Sequence, residues 1–188
     1  MNQKLPPNAT RAMVAAMNEQ AHAVIARQAS RDPAPVTKRR TLSCGCLTYR
    51  MGPDGPEVLL VKPWPNKHTW GVPKGHIHAG DDCEPDARAE TPAECAARET
   101  LEETGIEVTV QDELPSTRTE SYDEDKTVRV FLAVPSDNDG SAVHPADGEN
   151  SAVRWHHVEH LPPLHAYQAS VVAAGLPMIR QRLASSTA

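Results

Sequence analysis

Residues 75–106 read GHIHAGDDCEPDARAETPAECAARETLEETGI. In RETLEETGI at the end, Glu99, Glu102 and Glu103 stand at i, i+3 and i+4. A helix of 3.6 residues per turn gathers their carboxylates within roughly 100° of its surface. Three glutamates alone read most simply as a solvated face. Carboxylates that converge are instead the oxygen donors a hard divalent cation takes, magnesium or manganese first. The ends of the helix are written locally. Thr91 is an N-cap, Pro92 sits at the first helical position and Glu94 completes a capping box. Gly105 supplies the left-handed stop, so the helix is expected from about Pro92 to Thr104. Ala93, Ala97, Thr100, Leu101 and Thr104 form the face expected to pack on a sheet, leaving the glutamates over a cleft.

With those residues in view, the chain resembles the Nudix hydrolases, whose box reads G-x5-E-x7-REUxEExGU, with U aliphatic. Arg98 to Ile106 matches its second half, and Glu90 keeps the seven-residue spacing to Arg98. Gly75 does not keep its own. Fourteen residues separate it from Glu90 where the family has five, which reads as a nine-residue insertion. In the other alignment Asp81 takes the place of the first glutamate and the insertion follows it. Thr100 stands where the family has an aliphatic residue. Upstream, Pro73-Lys74-Gly75-His76 resembles the PKGH form of diadenosine polyphosphate and related hydrolases.

The resemblance covers about Leu42 to Leu164 and implies an α/β fold, the Nudix α/β/α sandwich, a mixed sheet between helices. It implies Mg2+, or Mn2+, held by Glu99, Glu102, Glu103 and the Gly75 carbonyl. Glu99 is then a ligand or the base, Glu103 belongs to the same catalytic cluster and Arg98 orients Glu102. Glu149 is the candidate for a further ligand or base. Lys74 and Lys62 are candidate phosphate contacts, and Trp64, ahead of Trp70, is a candidate base-stacking platform. The implied activity is hydrolysis of a pyrophosphate linkage in a nucleoside diphosphate joined to another group, first of all a dinucleoside or nucleotide polyphosphate. Oxidised nucleotides and RNA 5′ ends are rival substrates. A nucleotide-sensing domain without turnover is the rival from another class, set back by the retention of all three glutamates.

The chain of 188 residues carries a net charge of −6, which argues against a broad basic surface for nucleic acid. Its 4% aromatic content and 17 prolines point to a core of Val, Leu, Ile and Ala joined by proline-rich connections. Cys44, Cys46, Cys83 and Cys95 contain no CxxC pair, and reduced thiols in the cytoplasm are expected. No apolar run approaches a membrane span. The expected domains are a helical N-terminal extension, 1–40, and the Nudix domain, 41–188. A helix near residues 10–28 would carry Met13, Met17, Ala21, Val24 and Ile25 on one side, packed on the domain or on a second subunit of a homodimer.

Within the domain, Thr41–Tyr49 and Glu57–Lys62 are expected to form a hairpin. Further strands are expected at Glu107–Gln111, Thr117–Tyr122, Lys126–Val134 and Ala152–His156, with Asp123-Glu124-Asp125 as a turn and Trp155 in the core. A terminal helix from about Leu164 is expected to break at Pro177. Asp82–Ala89 reads as a polar surface excursion at the cleft, a candidate lid. His76 and His78 receive no catalytic role, and Tyr167 either packs or faces the nucleotide.

Overall fold

Strand β1 (Arg39–Gly52) is the axis of the sheet. Cys44 and Cys46 face one side, Leu47 and Tyr49 the other, and all four are buried, as a strand covered on both faces requires. The computed structural model describes residues 19–20, 38–65, 68–78, 89–137, 140–141, 143–144 and 148–185. Contacts divide the chain into Met1–Thr37 and Lys38–Ala188, and the second unit contains every element named below. Of the helix expected over 10–28, Glu19 and Gln20 are described and helical; the rest, and residues 81–88, which hold Asp81, Cys83 and all of the excursion but Ala89, lie outside the described residues.

β1 turns at Pro53-Asp54 into β2 (Gly55–Pro63), with Gly52 paired to Gly55. Gly55 has φ 133°, so the strands run further into the connection than the sequence indicated and leave a two-residue turn. β3 (Lys74–His76) lies antiparallel to β1, with Cys44 opposite Gly75. Helix α1 (Pro92–Thr104) follows, then β4 (Val108–Glu113), β5 (Thr117–Glu120), β6 (Glu124–Pro135), β7 (Asn150–His157) and helix α2 (Ala166–Ser185). The sheet order is β4-β6-β1-β2-β7, with β3 beside β1 and β5 beside β6. β1 and β6 run parallel and the other pairs antiparallel, so the sheet is mixed.

Two helices cover its two faces. α1 packs Cys95 and Ala96 on Cys44, Cys46, Phe131 and Ala133. α2 packs Val171, Val172 and Ile179 on Leu47, Val58, Leu60 and Leu132. A Cβ at Gly175 would lie 2.5 Å from Leu47 Cδ2, so the glycine lets α2 come close to the sheet.

Three local expectations are corrected. Leu101 is 40% exposed, and the buried face of α1 keeps the expected Thr100 and Thr104 but adds Cys95, Ala96 and Glu103. The sheet beneath takes small side chains, and the two threonines bond back to their own helix: Thr100 Oγ1 to Ala96 O at 2.7 Å, Thr104 Oγ1 to Thr100 O at 2.6 Å. Thr100 therefore fills an aliphatic position without an unpaired hydroxyl. Glu124 and Asp125 belong to β6, paired with β1, and the turn falls on Ser121–Asp123. Pro177 lies inside α2 without ending it. The carbonyl it cannot bond belongs to Ala173, and both residues lie on the exposed side, while the buried face holds the helix together.

Candidate active site

β1, β3 and α1 meet at two glycines. A Cβ at Gly45 would lie 2.1 Å from Pro73 O, so only glycine lets the Pro73-Lys74-Gly75 segment lie this close to β1. A Cβ at Gly75 would lie 2.0 Å from Glu99 Oε2, so the Glu99 carboxylate occupies the space a side chain at position 75 would fill. α1 is aimed at this point by its own caps. Thr91 Oγ1 accepts from the Glu94 amide, the Glu94 side chain accepts from the Thr91 amide, and Gly105 closes the helix with φ 74°.

Arg98 organises the acidic residues. Its Nε and Nη2 donate to the two oxygens of Glu90 at 2.8 and 3.1 Å, and its Nη1 donates to Glu99 and to Glu102, each at 2.8 Å. Nη2 also donates to the His76 carbonyl at 3.0 Å. The bond to Glu90, with that to Glu99, holds the guanidinium pKa above its ordinary value. Burial pushes the Glu90 carboxyl up, but the Arg98 bond and the His78 amide, which donates to Glu90 Oε2 at 3.1 Å, prevail and leave its pKa lowered. Glu99 goes the other way: burial raises it, the Glu102 and Glu90 charges add, and Arg98 only partly compensates. Both oxygens of Glu90 are thus engaged.

The glutamates divide between two adjoining clefts. Glu99 and Glu102 line one of about 300 Å³ together with Gly75, His76, His78 and Arg98. Glu103 is 8% exposed and turns into the next cleft, of about 320 Å³, lined by Trp64, Val72, Asn150, His165, Tyr167 and Gln168 among others. There its Oε1 accepts from the Lys74 amide at 3.2 Å and its Oε2 from Asn150 Nδ2 at 3.0 Å. Lys74 and Glu149 line both clefts. Among the described residues no three His, Cys, Asp or Glu side chains stand together as a ready-made metal site. The donors nevertheless fit a hard cation. All are oxygens, Glu99 sits half-buried among negative charges that a cation would relieve, and Gly75 leaves its carboxylate room.

The other sequence candidates fall out as follows. Trp64 is 65% exposed and lines the second cleft, whereas Trp70 is 9% exposed and serves the core. The Lys62 ammonium lies 5.7 Å from the Trp70 ring centre, and Lys62 lines neither cleft. Tyr167 lines the second cleft, its ring stacked on His165 with centres 6.0 Å apart. Sequence reasoning missed Asn150 and Gln168. Gln168 is buried, accepts from the Val72 amide at 2.6 Å and donates to Tyr167 Oη at 2.9 Å. The signal for Gln168 was a polar residue among the apolar ones of the terminal helix.

The profile of the NUDIX domain matches residues 39–174. The chain belongs to the Nudix hydrolase family. Putative hydrolase 111R of Invertebrate iridescent virus 3 is 41% identical over 58 residues, 31% of this chain and 28% of the viral protein. The chain thus spans little more than a quarter of that relative's length. Among solved structures, an Ap4A hydrolase binary complex of C. elegans superposes with a TM-score of 0.61 at 23% identity, covering 75% of this chain and 98% of the other. The NUDIX domain of Shewanella oneidensis NrtR, complexed with ADP ribose, superposes at 0.57 with 16% identity, covering 84% and 97%. These likenesses show the α/β/α fold. No helix among the described residues is long and apolar enough to cross a membrane.

Proposed function

We propose that the chain hydrolyses the pyrophosphate linkage of a nucleotide polyphosphate, a dinucleoside polyphosphate first of all, with Mg2+ or Mn2+ and in the cytoplasm. The observation that carries this reading is the pair of adjoining clefts. One holds Glu99, Glu102 and Gly75, the other an exposed Trp64 and Tyr167, and Lys74 and Glu149 belong to both. A phosphate chain running between them would leave its base beside Trp64 and bring its anhydride to the carboxylates. The resemblance of this fold to a C. elegans Ap4A hydrolase supports the choice of substrate.

Glu99, Glu102, Glu103 and the Gly75 carbonyl would hold the cation. Such a cation, when bound, neutralises phosphate oxygens and lowers the pKa of water. Glu99 either completes that ligand set or, as the base, accepts the proton of the attacking water. Arg98 holds Glu99 and Glu102 in place from its anchor on Glu90. Lys74 attracts the phosphate chain, and Trp64 stacks the base. The N-terminal segment, 1–40, is taken as an extension outside this chemistry.

The test is a panel of dinucleoside polyphosphates, nucleoside triphosphates, oxidised deoxynucleoside triphosphates, ADP-ribose and triphosphorylated RNA, each with and without Mg2+ or Mn2+, with products separated chromatographically. Cation-dependent cleavage, fastest by kcat/KM for a dinucleoside polyphosphate, is expected. Binding with no cleavage of any member would replace the enzyme by a nucleotide sensor.

A further inference from the structure

We propose that Asn150 is a positioning residue for Glu103, fixing the carboxylate that lines the neighbouring cleft rather than that of Glu99 and Glu102. The inference rests on the metal-binding reading of the site. A carboxylate only accepts hydrogen bonds, so the amide nitrogen of Asn150 faces Glu103, 3.0 Å from Oε2. Both residues are 8% exposed, and a bond to a charged group shielded from water is stronger than one at the surface. The second donor, the Lys74 amide, reaches Oε1 from the strand that carries Gly75. One carboxylate therefore joins α1, β3 and β7.

Asn150 can act as such a stop because its own backbone is pinned. It opens β7 opposite Pro63, at the register shift between Lys62 and Pro63. On one side the Trp64 amide donates to Glu149 O at 2.8 Å, and on the other Ser151 Oγ donates to Lys62 O at 3.0 Å. The same short stretch thus sets Glu103, the candidate ligand Glu149 and the candidate platform Trp64 relative to one another. A glutamate side chain has three torsions to fix, and the two donors, coming from different strands, fix its far end. Partners of ligating carboxylates carry roughly 10–100-fold in metal affinity.

The test is a double-mutant cycle on the full chain, with Mn2+ binding read by the loss of the free-ion electron paramagnetic resonance signal and melting temperature read in parallel. Asn150→Ala is expected to weaken Mn2+ binding roughly tenfold in the wild-type background. In a Glu103→Gln background it is expected to change the affinity less than about twofold, because the carboxylate it positions is gone. Should Asn150→Ala not fold, Asn150→Leu, close to asparagine in shape but without the donor, takes its place with the same expectation. Unaltered Mn2+ affinity in Asn150→Ala, or an equal loss in both backgrounds, overturns the inference while leaving the site reading intact. A wild type that takes up no Mn2+ overturns the site reading and this inference with it.

Discussion

Gly75→Ala adds one methyl group where β3 meets α1. The new Cβ would lie 2.0 Å from Glu99 Oε2 and 2.1 Å from its Cδ, far inside contact distance. The backbone raises no objection, because Gly75 sits in a strand and is not among the residues of positive φ. The whole effect therefore falls on Glu99, whose carboxylate must retreat from its 2.8 Å bond with Arg98 Nη1. A hydrogen bond to a charged group is worth about 1.5–3 kcal/mol, and the 22% exposure of the Arg98 side chain favours the lower end. At about 2–4 °C per kcal/mol for a unit of this size, the melting temperature falls by about 3–6 °C. The larger effect is on the cation. Moving one ligand weakens Mn2+ at least about tenfold, which removes about 1.4 kcal/mol from the stabilisation by ligand and shrinks the Mn2+-induced melting shift by a further 3–6 °C or so. Melting curves over a Mn2+ titration read both quantities. Gly45→Ala is the contrast: its Cβ meets the Pro73 backbone, so β3 itself must move and the loss appears without any cation. A Gly75→Ala protein whose Mn2+-induced shift equals that of the wild type refutes the assignment of Glu99 to the metal.

Other consequences follow from the same geometry. Trp64→Ala, at an exposed position, should leave the melting temperature within about 1–2 °C and raise KM roughly tenfold, since stacking on a base is worth about 1–3 kcal/mol; an unchanged KM removes Trp64 from the substrate site. Arg98→Ala strands Glu90 and Glu99, whose side chains are 14% and 13% exposed, and should cost about 2–3 kcal/mol, or roughly 4–12 °C, by differential scanning calorimetry. A drop below about 2 °C would show that these carboxylates do not depend on it. Burial, with the Arg154 charge adding, holds His156 below 6.5, and its Nε2 has no hydrogen-bond partner among the described residues. The unfolded chain takes up a proton at His156 near pH 6.5 while the folded chain does not, so stability is intact above that pH and declines below it toward the folded pKa. Urea unfolding at pH 7.5 and 5.5 should show this decline reduced in His156→Phe, and an identical decline would exclude His156 as its source.

The ends of α1 were legible because capping is local: Thr91, Glu94 and Gly105 act within one turn of themselves, and each does what its type dictates. Which side of α1 is buried was not legible to the same degree. The sheet offers Cys44, Cys46, Phe131 and Ala133, a surface that takes Ala96 and Thr100 in preference to Leu101, and neither strand order nor register is written in the helix. That choice rotates Glu103 inward and separates it from Glu99 and Glu102. The same gap hid Asn150 and Gln168, whose partners, Glu103 and Val72, lie far away in the chain. Pro177 shows the converse. A strong local signal lost to Val171, Val172 and Ile179, which bury one continuous face on the sheet.

The displaced glycine of the box is the sharpest departure from the family pattern, and the structure removes its force. Gly75 is placed by β1, through Cys44 opposite it and Gly45 opposite Lys74, not by its distance along the chain from Glu90. Glu90 is placed by Arg98, eight residues on, and by the His78 amide. The hydrogen bond from His78 to Glu90 closes the added segment at its base, whatever path the residues between them take. Lengthening a connection from five residues to fourteen costs only about 0.9 kcal/mol of closure entropy, less than the Arg98 network returns. Spacing in a motif stands for geometry only where nothing else fixes the two ends. Here a strand ladder fixes one end and an arginine the other, so Glu99 meets Gly75 whatever the length of chain between Gly75 and Glu90.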